Sequence, residues 1–256
     1  MQYMHSHRMI FLKEVDSTNR YALQHADAEQ WEEGTVVWAE HQHKGRGRRN
    51  APWYGSPGKN LYCSLVLRPE FLDLGHQAYL NMALALGVRE ALEKLSEEPA
   101  SIKWPNDIIV RDKKIAGLLI QNVCSEDTIR LSVCGIGVNV NEERFPNHLP
   151  HAVSLYQLCG KTMPLHTVLS TVLHYAMQYY DQLRDQDRRT ALLSTYESHL
   201  WNRGAIQRFY DPKTDQIVEA EIRGVDDKGR LRLFVNGAER VLGDLTWKWL
   251  YPQSSP

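Results

Sequence analysis

IIVRDKKIAGLLIQNVCSEDTIRLSVCGIGVNV, residues 108–140, holds three apolar runs: Ile108-Ile109-Val110, Ile115 to Val123 and Ile129 to Val140. The polar turns Arg111-Asp112-Lys113 and Ser125-Glu126-Asp127 separate them. Apolar runs joined by turns this short predict an antiparallel meander. Outward toward the N-terminus, Ser101-Ile102 and Leu61 to Leu67 read as further strands, as do Met9-Ile10-Phe11-Leu12 and Thr35 to Ala39. Ser17 to Trp31 has a helix-forming composition, with Ser17 or Thr18 as its cap. His76 to Leu95 predicts an amphipathic helix with Tyr79, Leu80, Ala83, Leu86 and Leu95 facing inward. Strands cluster and helices cluster, which defines α+β with a mixed, mostly antiparallel sheet.

Toward the C-terminus, Leu165 to Leu200 carries two helical patterns. After Trp201-Asn202-Arg203-Gly204 the texture changes to short strands at Val218 to Ile222, Leu231 to Val235 and Arg240 to Leu242, broken by glycines and by Asn236-Gly237. That rhythm predicts a small barrel. The expected division is 1–204 and 205–256, and a unit as small as the second needs the first for support.

The chain has 256 residues, 43% hydrophobic and 24% charged, with no low-complexity run, which places it among folded soluble proteins. No apolar stretch is long enough to span a bilayer, and Met1 to Met9 is polar and His-rich, so a cytoplasmic protein without membrane contact is expected. Cys63, Cys124, Cys134 and Cys159 are too scattered for a zinc knuckle or a disulfide framework, and buried reduced thiols are expected. Thirty basic residues stand against 31 acidic ones, so any anion site must be local.

Lys44-Gly45-Arg46-Gly47-Arg48-Arg49 is such a site candidate, inside a polar stretch from Gln42 to Lys59 that is long for a connection. Glycine lets backbone approach an anion, and arginine binds carboxylate or phosphate bidentately. By itself the run fits a solvated loop or a nucleic-acid-binding segment equally well. It is neither a P-loop nor a dinucleotide fingerprint. His41 and His43 could share a strand face as metal ligands, but no third ligand has suitable spacing, so no metal cage built from the protein is expected.

Around that run, Ser17-Thr18-Asn19, Gln42, Trp53, Lys103-Trp104-Pro105-Asn106-Asp107, Lys113 to Leu119 and Gly135 to Asn141 follow in an order that resembles the biotin protein ligase family. Residues 205–251 resemble that family's small C-terminal SH3-like barrel, and residues 17 to 141 its biotin/lipoate ligase-like catalytic domain. Two details differ: Asn50 stands where a glycine commonly follows the Gly-Arg run, and the serine and proline after Trp53 are shifted by one position. The chain starts only a few residues before its first strand, so the DNA-binding domain that some members carry is not expected, nor is DNA binding.

The resemblance implies that ATP activates biotin to biotinyl-5'-AMP, which is then transferred to a lysine of a biotin carboxyl carrier protein, such as that of acetyl-CoA carboxylase. By the same resemblance Lys114, Arg46 and Lys103 are catalytic. Ser17, Thr18, Asn19, Gln42, Gly45, Arg46, Gly47, Arg48, Lys114, Gly117, Leu119 and Gly135 bind biotin. Arg48, Arg49, Lys103, Asn106, Asp107, Lys114 and Asn139 bind nucleotide, with magnesium on the ATP phosphates near Asn139. A monomer and a weak dimer are both compatible with the sequence. The nearest alternative is a lipoate or octanoate ligase, against which the polar Ser17-Thr18-Asn19 and Gln42 favour a ureido ring. An RNA-binding protein using the Gly-Arg run is disfavoured by the near-zero net charge.

Overall fold

The computed structural model describes residues 8–243 and 247–251; residues 1–7, 244–246 and 252–256, which include the outer ends of both expected domains, lie outside the described residues. β1 (Met9–Val15), β2 (Val36–Gln42), β3 (Leu61–Leu67), β4 (Ala100–Lys103), β5 (Asp107–Val110), β6 (Lys113–Ser125) and β7 (Thr128–Val138) form one sheet in the order β1-β2-β3-β7-β6-β5-β4. β1 and β2 pair in parallel; every other neighbour is antiparallel. The expected meander is β5-β6-β7.

Alternation along the strands assigns the two faces. Cys63, Leu65 and Leu67 of β3 and Cys134, Ile136 and Val138 of β7 point into the large core beneath α2 (Gln77–Ser96) and α4 (Leu165–Gln182). Val66 of β3 and Leu131 and Val133 of β7 point the other way, onto α1 (Thr18–His25) and Trp31. α2 is buried on more sides than an amphipathic helix requires, because the sheet lies under it and α4 over it: Met82, Leu84, Ala85 and Val88 join the four predicted inward residues, while Leu95 is half-buried. α1 stops at His25, short of the expected helix, because the chain turns back through Gln30 (φ 50°) to bury Trp31 against Ala22 and Ala26. Cys63 and Cys134 are buried as expected, but Cys124, near the end of β6, is exposed and Cys159 half-buried.

α3 (Leu155–Cys159) and α5 (Gln186–Ser198) complete the helices. α3 was not expected, although Ser154 and Gln157 supply a capping box that the sequence displays. β8 (Ile206–Asp211), β9 (Gln216–Val225), β10 (Leu231–Val235), β11 (Ala238–Leu242) and β12 (Lys248–Trp249) form a second, wholly antiparallel sheet ordered β11-β10-β9-β8-β12. Among the described residues its edge strands do not pair with one another, so the expected barrel is seen as an open five-stranded sheet. It does lean on the first sheet: Phe209, Ile222, Leu233 and Trp249 belong to the same core as α2.

Gly87 lets α2 and α4 touch backbone to backbone; a Cβ there would lie 2.5 Å from Ala176 Cα. Alanine favours a helix over glycine by about 1 kcal/mol, yet overpacking a rigid contact costs about 1–3 kcal/mol. Gly87→Ala is therefore expected to lower the urea midpoint despite its better helix propensity; an unchanged or raised midpoint would show that the helices part freely.

Candidate active site

The face of the sheet bearing α1 has a hollow where β6 and β7 lack side chains. Lys103, Asp107, Gly117 and Gly137 stand opposite one another across β4, β5, β6 and β7, and the next row on that face is Leu119, Gly135 and Ser64. Directly opposed residues of an antiparallel sheet share a face, so three glycines leave a bare patch of backbone between polar neighbours. Other side chains settle into it. A Cβ on Gly137 would lie 2.8 Å from the Trp53 ring, one on Gly117 would lie 2.9 Å from it, and one on Gly135 would lie 2.3 Å from Asn19 Oδ1. The cavity that remains, about 240 Å³, runs from Ser17-Thr18-Asn19 and Gln42 at one end to Arg46, Arg48, Asp107 and Lys114 at the other.

At the first end every group is neutral. Ser17 occupies the helix N-cap, but its side chain makes no cap bond; the N–H of Thr18 is satisfied instead by Gln42 Oε1, at 2.8 Å. Asn19 Nδ2 donates to Leu119 O (2.9 Å) and Gln121 Oε1 (3.1 Å), while Ser64 Oγ lies 2.6 Å from Asn19 Oδ1 and 2.8 Å from Thr18 Oγ1. This hydrogen-bonded network fixes α1 to the sheet and presents amide and hydroxyl groups to the cavity. Such groups match a neutral ring with both donors and acceptors.

The second end is cationic, and a β-bulge makes it so. Lys114 stands three positions before Gly117, an odd spacing that in a regular strand puts them on opposite faces. The register of β5 against β6 slips between Ile108 and Ile109, so that Ile115 and Ala116 both enter the core and Lys114 returns to the cavity face. Its Nζ lies 2.7 Å from Asp107 Oδ1 and 5.0 Å from the centre of the Trp53 ring. Lys114 is held on the backbone as well: its N–H donates to His151 O, and its carbonyl accepts from the N–H of Val153. Burial, then the adjacent Arg49, pulls the Arg48 pKa below its ordinary value, with Asp107 acting in the opposite sense. One carboxylate thus faces several cations, and an arriving anion would relieve the imbalance.

An adjoining pocket, shared through Arg48, Asn106 and Asp107, is closed by Trp247, Lys248 and Trp249 of the second sheet. Lys103 lies here, not in the first cavity. Its Nζ donates to Trp249 O at 3.3 Å and lies 3.6 Å from the centre of the Tyr251 ring, with Trp201 and Trp249 further off. Trp104 Nε1 donates to Gly229 O, a second tie between the sheets.

The Gly-Arg loop is a small hairpin. Gly47 N–H donates to Ala51 O, Trp53 N–H donates to Gly45 O, and Arg46 bridges to Pro52. Its tip turns through Arg49 (φ 56°) and Asn50 (φ 58°). Asparagine tolerates this left-handed conformation better than any other residue except glycine, so Asn50 preserves the turn for which a glycine is commonly used.

Eleven of the twelve residues expected to bind biotin line the first cavity; Gly45 lies beside it, buried beneath Gln42 and Trp53. Asn106 and Asp107 join them from the nucleotide set, which shares Arg48 and Lys114 with the biotin set, while Arg49 and Lys103 line the adjoining pocket. Asn139 lines neither: its Nδ2 donates to Lys114 O and Val153 O, which steadies the lysine's strand. Sequence reasoning did not select Ser64, and it named Trp53 and Gly137 only within the segments that carry the resemblance, without a ligand role. A hydroxyl in the middle of the apolar run Leu61 to Leu67 was a usable signal, since a buried hydroxyl needs a partner.

An α+β fold whose cleft joins a neutral hydrogen-bonding end to a cationic end through one lysine defines a class: proteins that bring a small polar molecule to an anion. The model of the biotin/lipoate A/B protein ligase family matches residues 11–139. The bifunctional ligase/repressor BirA of Bacillus spizizenii is 31% identical over 88% of this chain and 69% of its own length, and that of Bacillus subtilis 32% identical over 80% and 62%. Among solved structures, the biotin protein ligase from Aquifex aeolicus in complex with biotin and ATP superposes with a TM-score of 0.78 at 28% identity, covering 96% of this chain and 99% of that one. The chain belongs to the biotin/lipoate A/B protein ligase family. It spans 62% of the length of the Bacillus subtilis relative.

Burial pushes the Lys103 pKa from 10.5 down to about 8, outweighing Asp107, which acts in the opposite sense. Because the folded value is the lower one, the unfolded chain binds this proton more tightly, so Lys103 makes stability rise with pH across that window. NMR titration of the lysine Cε carbons is expected to show one midpoint near 8, and the stability of the unaltered chain relative to Lys103→Met to rise between pH about 8 and 10.5. A Lys103 midpoint at lysine's ordinary value would contradict its burial.

Proposed function

We propose that this chain is a biotin protein ligase, which uses ATP to form biotinyl-5'-AMP and passes the biotinyl group to a lysine of a biotin carboxyl carrier protein. The observation that carries this reading is the single cavity whose neutral end and cationic end meet at Lys114. The neutral end suits a ureido ring; a lipoyl or octanoyl tail would leave Thr18, Asn19 and Gln42 without a matching partner. The relatives, ligase/repressors and a biotin protein ligase, support it.

The first step joins two anions. Two unit charges about 4 Å apart repel by roughly 4 kcal/mol at an effective dielectric of 20, so carboxylate and α-phosphate meet only where cations are already in place. Lys114 supplies one by exchanging Asp107 for the substrate oxygens; Arg46 and Arg48 supply others from the hairpin. The carboxylate oxygen attacks the α-phosphorus and pyrophosphate leaves. The carrier amine then attacks the acyl carbon of the mixed anhydride and AMP leaves. Positioning and electrostatics drive both steps, with no covalent enzyme intermediate. Asp107 is the only carboxylate lining either pocket among the described residues, and it is paired with Lys114. Magnesium therefore fits this site as part of the Mg-ATP substrate.

In this reading residues 1–204 form the catalytic domain, and 205–256 an appended domain that closes the nucleotide side through Trp247, Lys248 and Trp249. Its use of ATP and a carrier protein supports a cytoplasmic reading. No helix among the described residues is long and apolar enough to cross a membrane.

The test is transfer of radiolabelled biotin, lipoate and octanoate, each with ATP, to a biotin carboxyl carrier domain. Biotin alone should be transferred, and Lys114→Ala should lower the rate by about a hundredfold or more, the scale of losing one preorganised electrostatic contact; transfer of lipoate or octanoate instead would overturn the assignment. Arg46→Gly should still form the adenylate yet release it early, because it removes a cation from the cavity mouth. A release rate equal to that of the unaltered protein would remove Arg46 from that role.

A further inference from the structure

The stretch between β2 and β3 is held very unevenly. Its first half, the Gly-Arg hairpin, is tied at its root, where the N–H groups of His43 and Lys44 donate to Val15 O and Asp16 O, and at Arg49, which donates to Trp247 O; between these ties it closes through the Gly47–Ala51 and Trp53–Gly45 backbone bonds. Its second half is fastened to the segment that follows β7, and the fastening converges on one side chain. Glu142 is 3% exposed. Its Oε1 accepts from the backbone N–H of Ser56 (2.6 Å) and from Asn60 Nδ2 (2.8 Å), and its Oε2 accepts from Ser56 Oγ (3.2 Å). Among the described residues no cation pairs with it. A carboxylate taken out of water with only neutral donors is costly unless those donors are firmly placed, so its presence here marks a structural demand.

Both strands of the connection are tied at the same point. Asn60 Oδ1 accepts from the N–H of Val140, and Ser154 Oγ donates to Glu142 O, joining the loop exit, the end of β7 and the start of α3. Ser56 lies three residues beyond Trp53, the ring that rests on Gly117 and Gly137 and lies beside Lys114. Fixing Ser56 therefore limits how far Trp53 can lift, and Trp53 is the base from which the hairpin projects.

We propose that Glu142 is a positioning residue for the anion-binding hairpin: it anchors the loop's second half so that only residues 45–52 open and close, and it sets how long a bound acyl-adenylate stays enclosed. The second clause rests on the ligase reading above; the first does not. Glutamine in place of Glu142 would keep the shape, with its Nε2 donating to Ser56 Oγ, but the bonds from the Ser56 N–H and Asn60 Nδ2 would lose their charge assistance.

The experiment compares the full chain with Glu142→Gln and Glu142→Asp by three measurements. In the ligand-free protein, tryptic cleavage within residues 44–49 should be about tenfold faster in Glu142→Gln, the consequence of raising the open population by that factor. Biotinyl-adenylate release should accelerate to a similar extent, with the KM for biotin changed less than about twofold and the thermal midpoint within about 2 °C, a split that general unfolding does not produce. Glu142→Asp, which keeps the charge but withdraws it by one methylene, should fall between the two, and it decides the matter if Glu142→Gln does not fold. Cleavage equal to that of the unaltered chain overturns the proposal. Faster cleavage with an unchanged release rate overturns the role in retention. If the unaltered chain forms no biotinyl-adenylate, the ligase reading fails, and the cleavage rates still decide whether Glu142 anchors the loop.

Discussion

Backbone laid bare on one face of a sheet is the constraint that the remaining structure serves. Gly117, Gly135 and Gly137 sit together on neighbouring strands, and a methyl group at any of them would collide with Trp53 or Asn19. A strand poor in side chains loses packing and gains conformational freedom when unfolded, so glycine weakens a sheet interior. The opposite face offsets this: Cys134, Ile136 and Val138 of the same strand are fully covered by the core under α2 and α4. The floor is thus stabilised from behind, and the front stays open for a ligand.

Charge is arranged on that floor by two local departures from regularity. The bulge in β6 changes the phase of the strand so that Lys114 shares a face with Gly117, and the left-handed turn at Arg49 and Asn50 folds the Gly-Arg run back over the cavity. Neither stabilises the fold. Both sit where chemistry needs a side chain aimed against the local pattern, the usual place for irregular backbone in a functional protein. Asp107 then balances the cations it faces, with its ion pair to Lys114 ready for exchange. The second sheet adds walls to the adjoining pocket, and so small a unit is buried into the main core.

Much of this was legible in the chain. Apolar runs and short turns gave the meander, the long central helix and the change of texture near Gly204, because alternation and helical periodicity are set by local geometry. The segments around residues 17–19, 42–49, 103–107 and 113–119 pointed to one candidate site because several chemically unusual residues kept the order of the family they resemble, and the fold gathers most of them around two adjoining cavities. Elements held mainly by partners distant in sequence were missed: β12 is two residues paired with β8, and α1 ends early because Trp31 has a pocket to fill. Lys103 shows the same limit. The resemblance implied a catalytic role, but nothing local shows that its ammonium sits among the rings of Trp201, Trp249 and Tyr251, far along the chain.

The sequence by itself determined which residue types were available for chemistry, their order, and the faces that regular strands and helices would bury. Tertiary structure alone decided which of them meet. It drew Ser64 into the neutral end, assigned Asn139 to holding a strand, turned Lys114 to the cavity through a bulge, and fastened the ligand loop to Glu142 across 86 positions of chain. The physical reason is that periodicity is a property of neighbouring residues, whereas a buried polar group is satisfied by whatever partner the fold brings within about 3 Å, and sequence separation places no bound on that partner.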